Sequence, residues 1–127
     1  MASIILLVDD NPIQAATRQA ILSSSVNEVL VATSASRALA LLEDSELAAN
    51  VRLVITDHLM PGMTGPQFVA RLREGFPVLP VLVLSGWPDV EMEYAGLNIL
   101  YRSKPIAPEE LIPLVELLCR DALKRTA

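Results

Sequence analysis

Short apolar runs recur along this chain at regular intervals, with a stretch of helical length after each. Ile4 to Val8 is an unbroken apolar run of strand length, and Leu53 to Ile55 and Val81 to Leu84 repeat the pattern. Val29 to Val31 supplies another such run, and Asn98 to Tyr101 a further one opened by a polar residue. A strand that is apolar at every position, without alternation, has both of its faces covered. Five such strands, each followed by an amphipathic segment with short connections, fit a parallel sheet with helices on both sides.

The punctuation agrees with that pattern. Asn11-Pro12 opens the first helix, with Asn11 as N-cap and Pro12 at the first helical position. Ile13, Ala16, Ala20 and Ile21 recur at helical spacing, and Ser23-Ser24-Ser25 ends the segment. Ser34 caps a second helix with Ala35, Ala38, Leu39 and Leu42 on one face, and Pro66 opens a third with Phe68, Val69 and Leu72. Pro88 to Tyr94 is a short fourth helix. The last starts near Pro108, with Glu109 and Glu110 where the dipole favours acids, and buries Leu111, Leu114, Val115 and Leu118. Pro113 conflicts with this start, because a proline inside a helix removes a donor and crowds the preceding turn. An irregular first turn, a kink or a later start is expected there.

A length of 127 residues suits one domain, and no linker, low-complexity stretch or repeat divides it. The expectation is a single domain over residues 1–127 with no output domain. Hydrophobic residues make up 52% of the chain, yet no run approaches the roughly 18 residues of a membrane span. No secretory signal opens the sequence. A lone Cys119 excludes an internal disulfide and fits a reducing compartment, so a cytoplasmic protein is expected. A net charge of −5 argues against direct nucleic-acid binding, which needs a cationic face. The small basic groups Arg71/Arg73 and Arg120/Lys124/Arg125 read as solvated helix faces.

The chemistry lies where the apolar runs stop. The first ends in Asp9-Asp10, the third in Asp57 and the fourth in Ser85, and Lys104 follows the fifth. In a parallel α/β sheet, ligands bind beyond the carboxyl ends of the strands, so the fold gathers these distant residues at one edge. Three neighbouring carboxylates repel unless a cation or proton intervenes. An all-oxygen cluster suits Mg2+, which takes one or two carboxylates and keeps several waters. A lysine point charge and a serine hydroxyl suit a phosphoryl oxygen. A carboxylate left over can act as nucleophile and form an acyl phosphate, in a transfer governed by positioning and charge neutralisation.

The set LVDDN, VITDHLMPGMTG, VLVLSG and YRSKP, in that order and spacing, resembles the receiver domain of two-component response regulators. The resemblance spans essentially the whole chain. It implies a flavodoxin-like, doubly wound α/β fold of five parallel strands in the order 2-1-3-4-5. It implies Asp57 as the phospho-acceptor, Asp10 as a direct Mg2+ ligand, Asp9 as a ligand through water and the Leu59 carbonyl as a further ligand. Ser85 matches the switch hydroxyl, Lys104 the phosphate-pairing lysine and Tyr101 the aromatic switch, and the Lys104–Pro105 bond is cis in the family. The implied activity is a signalling switch, not an ordinary enzyme, catalysing only its own phosphorylation and dephosphorylation. Its partners would be a histidine kinase or histidine phosphotransfer protein, and a downstream protein docking on the fourth and fifth helices and fifth strand. Either a stand-alone receiver or one from a hybrid histidine kinase fits. Two departures stand out: the segment from Ser85 to Lys104 is a few residues short, and Ile106 replaces a common phenylalanine.

Simpler roles compete at several positions. Asp9 and Asp10 also suit caps, but Asn11 suffices for that. Ser85 also suits a turn before Gly86, and Lys104 a solvated surface. His58 receives no role. Leu59 and Trp87 flank the path of water to the phosphoryl group, which implies slow self-dephosphorylation. Met60 and Met63 are expected to pack, and Cys119 to be buried. One alternative is a Mg2+-dependent phosphatase of haloacid-dehalogenase type, although Leu59 stands where that group carries its second acid. A flavodoxin-like FMN site fits less well, because acids follow the first strand in place of a Ser/Thr-rich phosphate loop.

Overall fold

The computed structural model describes residues 3–23 and 28–126, with side chains of the last helix described as far as residue 120. Five parallel strands form its centre: β1 (Ile4–Val8), β2 (Glu28–Ala32), β3 (Val51–Asp57), β4 (Val81–Ser85) and β5 (Leu100–Ser103). They lie in the order β2-β1-β3-β4-β5. The expected fold class and strand order are therefore observed. Strand order reverses between β1 and β3, which opens a crevice at their carboxyl ends.

The helices are α1 (Pro12–Leu22), α2 (Ala35–Leu41), α3 (Ser45–Asn50), α4 (Gly65–Gly75) and α5 (Pro108–Thr126), with a 3-10 turn at Glu91–Tyr94. Successive residues of β1 feed opposite cores. Ile4, Leu6 and Val8 join Phe68, Val69, Leu72 and Tyr94 on the side of α2 and α4. Ile5 and Leu7 join Ala15, Leu22, Leu111, Val115 and Cys119 on the side of α1 and α5. This two-sided burial is why the central runs carry no polar residue. Met60 and Met63 pack against the first of these cores, and Cys119 is buried in the second, as expected.

The caps follow the sequence closely. Asn11 Oδ1 accepts from the Ile13 and Gln14 amides, and Ser34 Oγ from Arg37. Thr64 and Gln67 close a reciprocal capping box at the start of α4. Of the serines expected to end α1, Ser23 is the C-cap, while Ser24 and Ser25 lie outside the described residues. The side chains of Lys124 and Arg125 also lie outside them.

Several expectations are corrected. Of the residues at helical spacing on α1, Ile21 packs against the second core, while Ile13, Ala16 and Ala20 are exposed. Ile13 is 78% exposed, and α1 buries Ala15 and Leu22 instead. Between those two on the same face lies Arg18, whose charge is satisfied inside the fold. The second helical segment divides into α2 and α3, because Asp44 caps a new helix through the Glu46 and Leu47 amides. The last strand begins two residues later than expected. Asn98 has φ 55°, a turn conformation that asparagine tolerates, while Arg102 and Ser103 pair with Leu84 and Ser85. The fourth helix shrinks to four residues after Asp89, which has φ 60°. Helix α5 does start at Pro108 despite Pro113. The Ala107 carbonyl accepts from both Glu110 and Leu111, and Pro113 is exposed, so water can reach the helix surface where its donor is missing.

Arg73 is not a solvated charge. Its guanidinium donates to the carbonyls of Leu97, Phe76, Leu79 and Asn98 at 2.7–2.9 Å. It thereby ties the end of α4 to the approaches of β4 and β5. Among the described residues no helix is long and apolar enough to cross a membrane.

Candidate functional site

The carboxyl ends of β1, β3, β4 and β5 bring the polar residues together. Asp57 is the last residue of β3, and His58 extends its ladder by donating its amide to the Leu84 carbonyl at 3.1 Å. Asp9 follows β1 directly and donates its amide to Ala32 at 3.0 Å. The Lys104 amide bonds the Ser85 carbonyl at 2.8 Å, which fixes the lysine at the end of β5. The Lys104–Pro105 peptide is cis, as the resemblance implied.

Asp9, Asp10 and Asp57 each offer a carboxylate oxygen, and these atoms lie within 4.8 Å of one another. Asp9 and Asp57 are buried, whereas Asp10 faces solvent. Asp9 Oδ1 accepts from the Asn11 amide at 2.9 Å. Burial above all, then the hydrogen bond and charge of Asp57, raises the Asp9 carboxyl from its ordinary 3.8 to about 6. The Asn11 amide and the Arg18 charge oppose that rise.

Lys104 Nζ approaches Asp57 Oδ1 as an ion pair at 2.5 Å and reaches Gln14 Oε1 at 3.3 Å. That contact lacks the angular geometry of a hydrogen bond, so the buried Asp57 Oδ1 has charge contacts but no hydrogen-bond donor. Lys104 and Arg18 hold that oxygen by charge and leave it lone-pair capacity for a further cation. Together with the all-oxygen donor set, this fits Mg2+.

Ser85 is buried at the end of β4, and its Oγ accepts from the Trp87 amide at 3.0 Å. In this state it serves its own turn. Tyr101, half-buried on β5, donates its hydroxyl to the Trp87 carbonyl at 3.0 Å. Leu59 and Trp87 are 53% and 60% exposed at the rim.

Three contributors escaped the sequence reading. Arg18 Nη1 lies 2.9 Å from Asp9 Oδ2 and 3.5 Å from Asp57 Oδ1. Gln14 touches Lys104. Both sit on α1. His58 also gains a structural role. It is buried, its Nδ1 lies 2.8 Å from Tyr94 Oη, and its Nε2 is 3.7 Å from Glu93. Burial, with Glu93 and Tyr101 adding charge, drives the Tyr94 hydroxyl upward, so it stays neutral. The residue after Asp57 is thus tied to the 3-10 turn.

A family pattern described as the response regulator receiver domain matches residues 5–116. The chain belongs to the response regulator receiver family. It is 34% identical over 118 residues to the hydrogenase transcriptional regulatory protein HoxA of Cupriavidus necator, covering 90% of this chain and 23% of that one. It is 41% identical over 83 residues to the two-component response regulator ORR6 of Oryza sativa, covering 64% of this chain and 48% of that one. The receiver therefore spans about a quarter to a half of these two relatives. The signal receiver domain of an HD domain-containing protein from Pseudomonas fluorescens superposes with a TM-score of 0.85 at 27% identity, covering 98% of this chain and 92% of that one. The phosphatase alternative finds no support among these relatives, and Leu59 stands where it needs an acid.

Proposed function

We propose that this receiver is a cytoplasmic, Mg2+-dependent phospho-acceptor in which Asp57 takes a phosphoryl group from a phosphohistidine. The donor is a histidine kinase or a histidine phosphotransfer protein. An Asp57 oxygen forms the new P–O bond as the P–N bond of the phosphohistidine breaks, and the leaving imidazole keeps the electron pair. The observation that carries this reading is Asp57 Oδ1, buried at the strand switch point with a lysine ammonium beside it and no hydrogen-bond donor.

Asp10 and Asp57 would hold Mg2+ directly, Asp9 through water, and the Leu59 carbonyl would complete the protein ligands. Bound there, Mg2+ would neutralise charge on the transferring oxygens. Lys104 is already aimed at the same region and would pair with a phosphoryl oxygen. The Ser85 hydroxyl would leave its turn to bind another, and Tyr101 would swing inward from the Trp87 carbonyl. That biases the surface of the 3-10 turn, β5 and α5 toward a form that docks a protein target, a shift of populations within one fold.

Labelling with acetyl phosphate in the presence of Mg2+ tests the reading. Wild type should gain one phosphoryl group and Asp57→Asn none. Undiminished labelling of Asp57→Asn would sink the assignment.

A further inference from the structure

Arg18 is the unexpected member of the site. It comes from the inner face of α1, on the same side as Ala15 and Leu22, and its side chain is 12% exposed. A long cationic side chain in such a place needs partners, because an unpaired buried charge is strongly disfavoured. Its partners are two carboxylates. One nitrogen, Nη1, reaches both Asp9 Oδ2 and Asp57 Oδ1. Asp9 and Asp57 are also two of the three acids whose oxygens converge within 4.8 Å. The guanidinium thus contacts two of the three acids in the cluster that suits a divalent cation.

The charges sharpen the point. Asp9, Asp10 and Asp57 carry three negative charges when ionised, and Lys104 and Arg18 supply two positive ones. Among the described residues, Lys104 pairs with Asp57 alone of the three acids, and Arg18 is the cation that contacts Asp9. Asp9 Oδ1 is already committed to the Asn11 amide. Its Oδ2, the oxygen left to reach a metal-bound water, is the one that Arg18 holds.

We propose that Arg18 is a built-in competitor for the divalent cation, and that its guanidinium must leave Asp9 and Asp57 for Mg2+ to bind. This rests on the receiver reading of the site, and it adds a positioning residue which sets how much free Mg2+ the site requires. Loss of Arg18 removes both the competing contact and a positive charge within a few ångströms. Either effect strengthens cation binding, but only the first requires the guanidinium to move.

The experiment measures Mg2+ binding to the full chain by calorimetry, with no phosphodonor, for wild type, Arg18→Met and Arg18→Lys. Arg18→Met is expected to bind Mg2+ about tenfold more tightly or better, from removal of one nearby charge in a partly buried site. Arg18→Lys should fall between, because an ammonium on a shorter stem cannot keep the planar contact. In parallel, the Arg18 Nε–Hε resonance of 15N-labelled wild type is followed during Mg2+ titration and assigned by its loss in Arg18→Met. It should shift as the site saturates. Arg18→Met binding no tighter than wild type would overturn the proposal, and so would an unmoved Arg18 resonance at saturation. The resonance is also lost in Arg18→Lys, which can supply the assignment, so the test survives if Arg18→Met does not fold. Failure of acetyl phosphate labelling at Asp57 would instead count against the receiver chemistry, and it is scored separately.

Discussion

Replacing Gly65 with alanine separates two physical effects that predict opposite signs. Gly65 opens α4, and its backbone is not in the left-handed region. Backbone entropy alone therefore favours alanine, by about 0.4–1 kcal/mol. The surroundings say otherwise. A Cβ at Gly65 would overlap the Tyr94 hydroxyl, and it would come within 3.0 Å of the His58 carbonyl oxygen and 3.1 Å of Tyr94 Cζ. Tyr94 is 2% exposed and cannot swing into solvent without opening the core. Overpacking of this kind costs about 1–3 kcal/mol. Displacing the Tyr94 hydroxyl also breaks its bond to His58 and strands two buried polar groups, at about 1–3 kcal/mol. The net expectation for Gly65→Ala is a loss of about 2–4 kcal/mol. Urea unfolding reads this as a midpoint lowered by about 1–2 M with an unchanged slope. Tyr94→Phe removes the overlapping oxygen, so the double variant should lose at least about 1 kcal/mol less than the sum of the singles. Gly65→Ala as stable as wild type, or strict additivity with Tyr94→Phe, would refute the reasoning.

Other outcomes follow from the same contacts. The Asp9 carboxyl is raised to about 6 in the fold against an ordinary 3.8, so the folded protein holds that proton more tightly than the unfolded chain. The resulting stabilisation is full below about pH 4 and disappears as pH rises through about 6. In EDTA, Asp9→Asn should therefore gain on wild type across that window, by on the order of 2 kcal/mol at pH 7, measured by urea unfolding at each pH. Arg73→Met deprives four carbonyls of their donor and should cost about 2–4 kcal/mol in the same assay, with Arg73→Lys recovering little. If Trp87 shields the phosphoryl group, Trp87→Ala should lose its label severalfold faster than wild type, and equal decay would remove that role. Phosphorylation of wild type by acetyl phosphate should half-saturate at higher Mg2+ than that of Arg18→Met.

What could be read from the sequence shares one property: its cause is local or periodic. Ile4 to Val8 and Leu53 to Ile55 announce two-sided burial, because no polar residue interrupts them. Asn11 and Ser34 cap helices through amides two or three residues away. Acids at strand tips imply a shared edge, because parallel strands end together. The phosphorylation chemistry drawn from that edge stands as a proposal, while the fold and family are established by topology and kinship.

The tertiary structure decided where long side chains find partners. Ile13, Ala16 and Ala20 share helical spacing with Ile21 on α1, yet they stay exposed, and Ala15, Arg18 and Leu22 turn inward. Arginine is acceptable there only because β1 and β3 bring Asp9 and Asp57 beneath it, which no window of the sequence contains. Arg73 reads as a surface charge until the approaches of β4 and β5 present four carbonyls to it. The His58 side chain meets Tyr94 36 residues away. The sequence by itself determined the strands, their caps and the acids at their tips, because those depend on neighbours along the chain. Only the assembled sheet determined which charges are buried, because a buried charge is set by partners that folding alone brings within reach.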